Sequence, residues 1–342
     1  MSGTILIRGA GAIGGTIGAY LVRAGQDVLF VDSAADHVDA MRQDGLGIEG
    51  PIEQFTVSVR AATPEEVSGR FERVLLCVKA HHTESATRAL LPHLADAGYV
   101  ASFQNGLNEV VIGGIVGMDR VIGAFLNFGA DYLAPGRILY GGRGAFVVGE
   151  MDGRRTERLE ALRRLMLPVE PAAIVTENIL GYLWGKLGYG ALLFATALTN
   201  DPIADVLDAP EHRTMLVAMA REVVAVAAAK AIRPHGFNGF DPAAFVPGGG
   251  DAAIDTSFDA MVAHNRRSAK SHSGIWRDLA IRKRRTEVDA QPGPVVERAA
   301  VVGLAAPLTA RLILMIHQIE VGRRSFDRIN LLALVDSTLE QI

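Results

Sequence analysis

Six residues, Gly9-Ala10-Gly11-Ala12-Ile13-Gly14, stand between an apolar run, Ile5-Leu6-Ile7, and a helical pattern of Ile13, Ile17, Tyr20 and Leu21. That order is a strand, a tight glycine turn and a helix. The first glycine of such a turn permits the bend, the second lets the backbone approach a pyrophosphate, and the third lets helix and strand pack closely, with the phosphates on the helix N-terminus. The next apolar run, Val28-Leu29-Phe30-Val31, ends at Asp32, where a carboxylate can meet a ribose at the customary spacing of about 20 residues. The sequence therefore predicts a dinucleotide site formed by Gly9, Gly11, Ala12, Ile13, Gly14 and Asp32.

Up to about residue 175, short β-branched runs alternate with helical segments: Thr4–Arg8, Asp27–Asp32, Arg73–Lys79, Tyr99–Phe103, Arg120–Phe125 and Ala145–Gly149. Strands separated by helices predict a doubly wound parallel sheet. Leu46–Arg60 alternates without a helix, as a small hairpin insert would, and Ile138–Gly149 reads as an antiparallel edge. Beyond residue 176 the strand signals stop, and helical patterns occupy 177–198, 208–231, 286–302, 307–321 and 328–340. The expected organisation is α/β, with a Rossmann domain over 1–175 followed by an all-α domain over 176–342. The stretch Pro234–Asp251, rich in glycine, proline and phenylalanine, reads as a long loop, either a lid, a partner contact or a plain solvent loop.

With 342 residues and 49% hydrophobic content, there is enough apolar material for two cores. A net charge of -4, with both signs mixed along the chain, gives no footprint for nucleic acid. The basic cluster Arg282-Lys283-Arg284-Arg285 stands next to Asp278, Glu287 and Asp289 and reads as a solvated turn. The N-terminal residues lead straight into a strand, without a signal-peptide pattern, and no uncharged run reaches the roughly 18 residues of a membrane helix. The single cysteine, Cys77, lies in an apolar strand, excludes an intramolecular disulfide and fits a reducing compartment. These points predict a soluble, cytoplasmic protein. His81, His82, His264 and His272 have no carboxylate or cysteine at metal-ligand spacing, so no metal is expected. The apolar C-terminal helices suit a homodimer interface and a monomer's core equally.

Lys186 is the residue that points to chemistry. It interrupts an apolar helical run from Tyr182 to Phe194. A lysine so placed must snorkel, find a partner or lower its pKa, and the last course makes lysines into proton donors and bases.

The motifs Gly9–Gly14, Val78-Lys79-Ala80, Gln104-Asn105-Gly106-Leu107, Trp184-Gly185-Lys186-Leu187 and Arg285-Thr286-Glu287-Val288-Asp289 occur in the order and at about the spacing of the ketopantoate reductases (2-dehydropantoate 2-reductases). The chain resembles that family over nearly its whole length. The resemblance implies a Rossmann domain joined to a helical domain, NADPH as cofactor, and reduction of a 2-keto acid, ketopantoate to pantoate in pantothenate biosynthesis. It implies that Lys79 faces cofactor phosphate or ribose and that Asn105 reaches the nicotinamide and the substrate. It makes Lys186 the general acid and gives Glu287 the substrate hydroxyl or the lysine to hold. The family's serine for the substrate carboxylate falls near Ser273, offset by about one residue so that Gly274 is close to its usual place. An unbroken helix from Ser273 to Glu287 would separate the two by roughly 21 Å. A break near Arg282–Arg285 is therefore expected, with Thr286 starting a new helix.

Two departures bear on specificity. One and two turns beyond Lys186, where the family carries asparagines facing the substrate, this chain has Gly190 and Phe194. Their loss points to a less polar or differently shaped keto acid. Asp32 replaces the basic residue that usually meets a 2′-phosphate, which favours NADH over NADPH unless Arg42 or another cation compensates. Two alternatives stand beside the keto-acid reductase: a related dehydrogenase or imine reductase with a different substrate, and a catalytically silent dinucleotide-binding module. The retained Lys186 and Glu287 argue against the silent module.

Overall fold

Ile5, Leu6 and Ile7 have no exposed surface, which an apolar run achieves when both faces of its strand are covered. In the computed structural model this run is strand β1 (Ile5–Arg8), and residues 3–268 and 270–335 of the chain are described. Ile5 and Ile7 point into one apolar layer and Leu6 into the other. The chain divides into two compact units, Met1–Ile179 and Leu180–Ile342.

In the first unit, β1 is followed by helix α1 (Ala12–Arg23), β2 (Val28–Val31), α2 (Ala35–Asp44), β3 (Leu46–Glu49), β4 (Phe55–Val57), β5 (Arg60–Ala62) and β6 (Phe71–Leu76). Next come α3 (Thr83–Leu90), β7 (Leu94–Ser102), α4 (Asn108–Val116), β8 (Val121–Ala134), β9 (Arg137–Glu150), α5 (Glu157–Met166) and β10 (Ile174–Val175). Among the described residues the strands make one ten-stranded sheet in the order β4-β3-β9-β8-β7-β6-β1-β2-β5, with β10 also on β9. β1 pairs in parallel with both β2 and β6, so the chain reverses its winding between β1 and β6. Ligands of doubly wound sheets bind at such a switch point, outside the carboxyl ends of the strands. The expected hairpin insert is β3–β4, antiparallel. The expected edge is not an edge: β9 pairs antiparallel with β8 but carries β3 and β10 on its other side. The reason is that strands from both before and after it in the chain add to β9 in parallel, which its own alternation does not reveal.

The second unit contains α6 (Ile179–Thr196, whose first residue ends the first unit), α7 (Ile203–Asp208), α8 (Pro210–Ala229), α9 (Asp251–Arg267), α10 (Gly274–Trp276), α11 (Pro292–Val301), α12 (Pro307–Glu320) and α13 (Ile329–Ala333). Of the expected helix over 328–340, the helix spans Ile329–Ala333, Leu334 and Val335 form a turn, and residues 336–340 lie outside the described part. Helix α9, with Ile254, Phe258, Met261 and Val262 buried at helical spacing, lies outside the helical patterns read from the sequence. Its glycine- and proline-rich approach masked the periodicity.

Pro234–Asp251 is no solvent loop. Phe237 and Phe240 face each other in a β-bridge, and Phe240 and Phe245 are 2% and 1% exposed, with stacked rings 5.3 Å apart. His235 donates its backbone N–H to Gly181 O at 2.8 Å and stacks on Tyr182 with ring centroids 4.1 Å apart. This strap lies so close to α6 that a Cβ on Gly185 would come within 1.9 Å of His235 O. Gly185→Ala is therefore expected to destabilise the protein by about 1–3 kcal/mol, seen as a lower Tm, through overpacking against backbone. An unchanged Tm would mean that the strap yields freely.

Candidate active site

In the first unit, every predicted cofactor residue lies in the turn, or the first turn of helix, that follows the carboxyl end of a strand. Gly9 follows β1 with φ +96, and a Cβ there would meet Val78 N at 2.7 Å, so the turn after β1 presses directly on the segment after β6. Gly14 packs just as tightly, its Cβ position being 2.0 Å from Gly9 O and 3.0 Å from Cys77 Cβ. Gly11 differs. It has φ -67 and nothing within 4 Å of its Cβ position. Neither backbone strain nor a protein neighbour calls for glycine there, whereas a ligand approaching the backbone would. Gly11 is the N-cap of α1, with no side-chain cap and no acidic residue in the first turn. The N–H groups of Ala12 and Ile13 belong to that turn, which offers donors and a positive dipole end to an anion. A dinucleotide pyrophosphate fits this cradle.

Asp32 is locked at the end of β2. Its Oδ2 accepts from Ala10 N at 2.8 Å and its Oδ1 from Ala34 N at 3.0 Å. Arg42, the cation that could have offset this carboxylate, is engaged elsewhere, donating to Ala61 O at 2.9 Å and to Glu66 Oε2 at 2.6 Å. Arg8 lies in the field of both Asp32 and Glu65, with its pKa lowered because burial outweighs their attraction.

Lys79, exposed, is the N-cap of a 3₁₀ turn over Ala80–His82. The loop after β7 is stitched to this region. Gln104 Nε2 donates to Val78 O and to Thr83 Oγ1, both at 2.8 Å. Thr83 donates in turn to Asn108 Oδ1 at 3.0 Å, and Asn108 Nδ2 to Asn105 O at 2.6 Å. Asn105 is thereby held by its backbone while its own amide makes no hydrogen bond among the described residues. Gln104 and Asn108 are positioning residues for which sequence reading had no role. Cys77 is half-buried behind the glycine turn, and desolvation pushes its thiol well above the ordinary range, which excludes a thiolate nucleophile.

In the helical unit, Lys186 is half-buried on α6 between buried Leu183, Trp184, Leu187 and Tyr189. Gly190 follows one turn later. Phe194 has no exposed surface, so its ring is packing inside the protein and does not line an open pocket as expected. Ser273 is the N-cap of α10, its Oγ accepting from Trp276 N at 3.1 Å, and the hydroxyl proton stays available to donate. That segment is fixed near the far end of α6, because Trp276 Nε1 donates to Asn200 Oδ1 at 3.1 Å.

The helical path breaks where expected, with π-helix over Arg277–Ile281 and Lys283 at φ +48, but no helix starts at Thr286. α11 begins only at Pro292, since the N–H and hydroxyl of Thr286 both donate to Glu320 Oε1 at 2.7 Å across to α12. His317 completes the attachment, with Nδ1 2.8 Å from Glu320 Oε2 and Nε2 2.8 Å from Asp289 Oδ1. Arg285 also donates to Asp289, at 3.3 Å. Half-buried Glu287 is therefore carried on a segment clamped on both sides.

These features match known proteins along most of the chain. The family model for ketopantoate reductase PanE/ApbA matches residues 5–153, and that for its C-terminal domain matches residues 178–320. The chain belongs to the ketopantoate reductase family. It is 30% identical over 318 residues to the 2-dehydropantoate 2-reductase of Pyrococcus abyssi, covering 90% of this chain and 95% of the relative. The 2-dehydropantoate 2-reductase of Mesorhizobium japonicum is 28% identical, with 93% and 98% covered. A PanE/ApbA family ketopantoate reductase from Ralstonia eutropha superposes with a TM-score of 0.78 at 26% identity, covering 94% of this chain and 99% of that one. D-mandelate dehydrogenase, solved with NADH and anilino(oxo)acetate, shares the fold with a TM-score of 0.79 at 19% identity and the same coverage. Like other ketopantoate reductase family members, the chain is an oxidoreductase built for a nicotinamide dinucleotide. Among the described residues no helix is long and apolar enough to cross a membrane.

The clamp around Glu287 gives this family member a pH signature. Burial opposes charging His317, but hydrogen bonds to Glu320 and Asp289 outweigh it and raise its pKa. Glu320 is likewise opposed by burial, yet the N–H and hydroxyl of Thr286 together with His317 hold its pKa down. A raised histidine contributes fully below its ordinary value, about 6.5, and loses that contribution as pH rises through the higher folded value. A depressed glutamate contributes above its ordinary value, about 4.3, and loses it as pH falls through the lower one. The clamp is thus strongest between roughly pH 4.5 and 6.5. We expect His317→Asn to lower Tm most in that window and progressively less at alkaline pH. A pH-independent difference in Tm would contradict the charged clamp.

Proposed function

We propose that the protein reduces a 2-keto acid to the 2-hydroxy acid with Lys186 as proton donor, the first unit holding the dinucleotide and the helical unit the substrate. The observation that carries this reading is a half-buried lysine in an otherwise apolar helix of a ketopantoate reductase family chain. The nicotinamide, when bound, supplies the hydride. Gly11 and the first-turn N–H groups of α1 receive the pyrophosphate, Asp32 accepts from the ribose, and Lys79 faces phosphate or ribose. Asn105, its backbone fixed and its amide uncommitted, orients nicotinamide and substrate. Lys186 donates its proton to the carbonyl oxygen and its charge offsets the alkoxide that develops there. Glu287 accepts from the substrate hydroxyl or holds the lysine, and the Ser273 hydroxyl donates to the substrate carboxylate.

The preferred cofactor is NADH. A 2′-phosphate would meet Asp32, held in place by two backbone N–H groups, and Arg42 is spent on Ala61 and Glu66. NADH is also what the structurally similar D-mandelate dehydrogenase holds. That likeness makes D-mandelate a useful second hydroxy acid to test.

The deciding experiment is steady-state oxidation of NADH and NADPH with ketopantoate, together with D-mandelate oxidation in the reverse direction, using Lys186→Ala as control. Lysine-dependent turnover is expected, with kcat/KM at least about tenfold higher for NADH, a difference of about 1.4 kcal/mol. Asp32→Ser should narrow that ratio. A preference for NADPH would refute the cofactor assignment, and turnover indifferent to Lys186 would refute the reaction.

A further inference from the structure

Gly190 leaves a gap on the face of α6 one turn beyond Lys186. Apart from its chain neighbours and the backbone of its own helix, a Cβ there would have one atom within 4 Å among the described residues, Gln291 Oε1 at 3.8 Å. Gln291 is brought there by the clamped segment: its N–H donates to Glu287 O at 3.0 Å, closing one turn from Glu287, and Pro292 then starts α11. Its side chain is half-buried and caps nothing, and among the described residues the amide makes no hydrogen bond. A half-buried amide without a protein partner leaves hydrogen-bonding capacity to be met by water or a ligand.

We propose that Gln291 is a specificity-determining residue whose amide hydrogen-bonds a hydroxyl group on the chain of the 2-keto acid, in the space that Gly190 leaves open. This rests on the assignment of Lys186 as proton donor. A hydroxyl suits the site in either orientation of the amide, because it donates to Oε1 and accepts from Nε2–H. It also departs from the less polar substrate expected from Gly190 and Phe194. The pocket keeps an amide, supplied from another segment, and so selects a hydroxylated keto acid over one of the same shape without the hydroxyl.

The test compares ketopantoate with 3,3-dimethyl-2-oxobutanoate, which differs only by replacement of the hydroxyl with hydrogen. Gln291→Leu keeps the approximate side-chain volume and removes the hydrogen bond. It is expected to reduce kcat/KM for ketopantoate by about tenfold to a hundredfold, mainly through KM, and to leave the deoxy substrate within about twofold. Adding Gly190→Asn to Gln291→Leu should restore the preference by returning an amide to the same gap. Equal losses on both substrates would mark Gln291 as merely structural and overturn the proposal, as would no loss on either. If the unsubstituted protein turns over neither substrate, the reductase reading itself fails and this proposal with it. Turnover that depends on Lys186 but shows no Gln291-dependent discrimination overturns the proposal alone.

Discussion

Lys186→Ala is expected to lower kcat by roughly 10²–10⁴-fold, the usual contribution of a positioned general acid, while the Kd for NADH stays unchanged. The argument is local to α6. Trp184, Leu183 and Leu187 are 1–4% exposed, so the half-buried lysine stands among apolar side chains that keep water from its flanks. In such surroundings a charge acts on a developing alkoxide with much less screening than in water. Removing it takes away both the proton and the stabilising charge, and both act mainly in the transition state, so kcat and kcat/KM should fall together. Lys186→Arg should recover little, because a guanidinium does not release its proton at neutral pH and is differently shaped. Cofactor affinity measured by fluorescence titration separates this loss from damage to the dinucleotide site. A loss of kcat below about tenfold would mean that another group protonates the carbonyl oxygen.

Gly11→Val should abolish dinucleotide binding in a protein that still folds, weakening Kd by at least about a hundredfold, or about 2.7 kcal/mol. The two properties separate because Gly11 has no neighbour within 4 Å of its Cβ position and a negative φ that any residue adopts. A valine side chain would occupy the space where the pyrophosphate approaches the first turn of α1. Tm without cofactor should match that of the unsubstituted protein, and the thermal shift normally produced by NADH should vanish. Gly14→Val serves as the contrast. Its Cβ would lie 2.0 Å from Gly9 O, so it should disrupt packing of α1 on β1 and lower Tm before any ligand is added. If Gly11→Val bound NADH normally, the cradle would lie elsewhere.

Local signals carried much of this protein. The glycine turn, the strand–helix alternation that follows it and Asp32 were readable because each depends on neighbours a few residues away. The sheet around β1, β2, β6 and β7 follows from those signals, and so does the helical character of α6, α8 and α12. Helix α9 is not legible in the sequence although its apolar spacing is regular, because the preceding glycines and Pro247 read as a loop. The phenylalanines of the strap read as part of a long loop, whereas Phe240 and Phe245 are buried in the core. Phe194 was legible as an aromatic residue on the lysine's face, but not as one sealed from solvent.

The segment around Glu287 shows most clearly where sequence reading stops. A break after residue 281 could be foreseen from helix length, but the clamp joins Thr286 to Glu320 and Asp289 to His317, partners 34 and 28 residues apart. No local pattern connects them. The same holds for Gly190 and Gln291, which lie 101 positions apart in sequence, counted from their numbers, and meet only because the clamped turn is laid against α6. Chemistry set by adjacent residues was therefore determined by the sequence itself: a dinucleotide turn, an acidic ribose partner and a lysine in an apolar helix. Which glycine leaves room for a ligand, which cation is already spent, and which amide faces the gap beside the lysine were decided by tertiary structure, since each is a contact between segments whose packing no short stretch of sequence encodes.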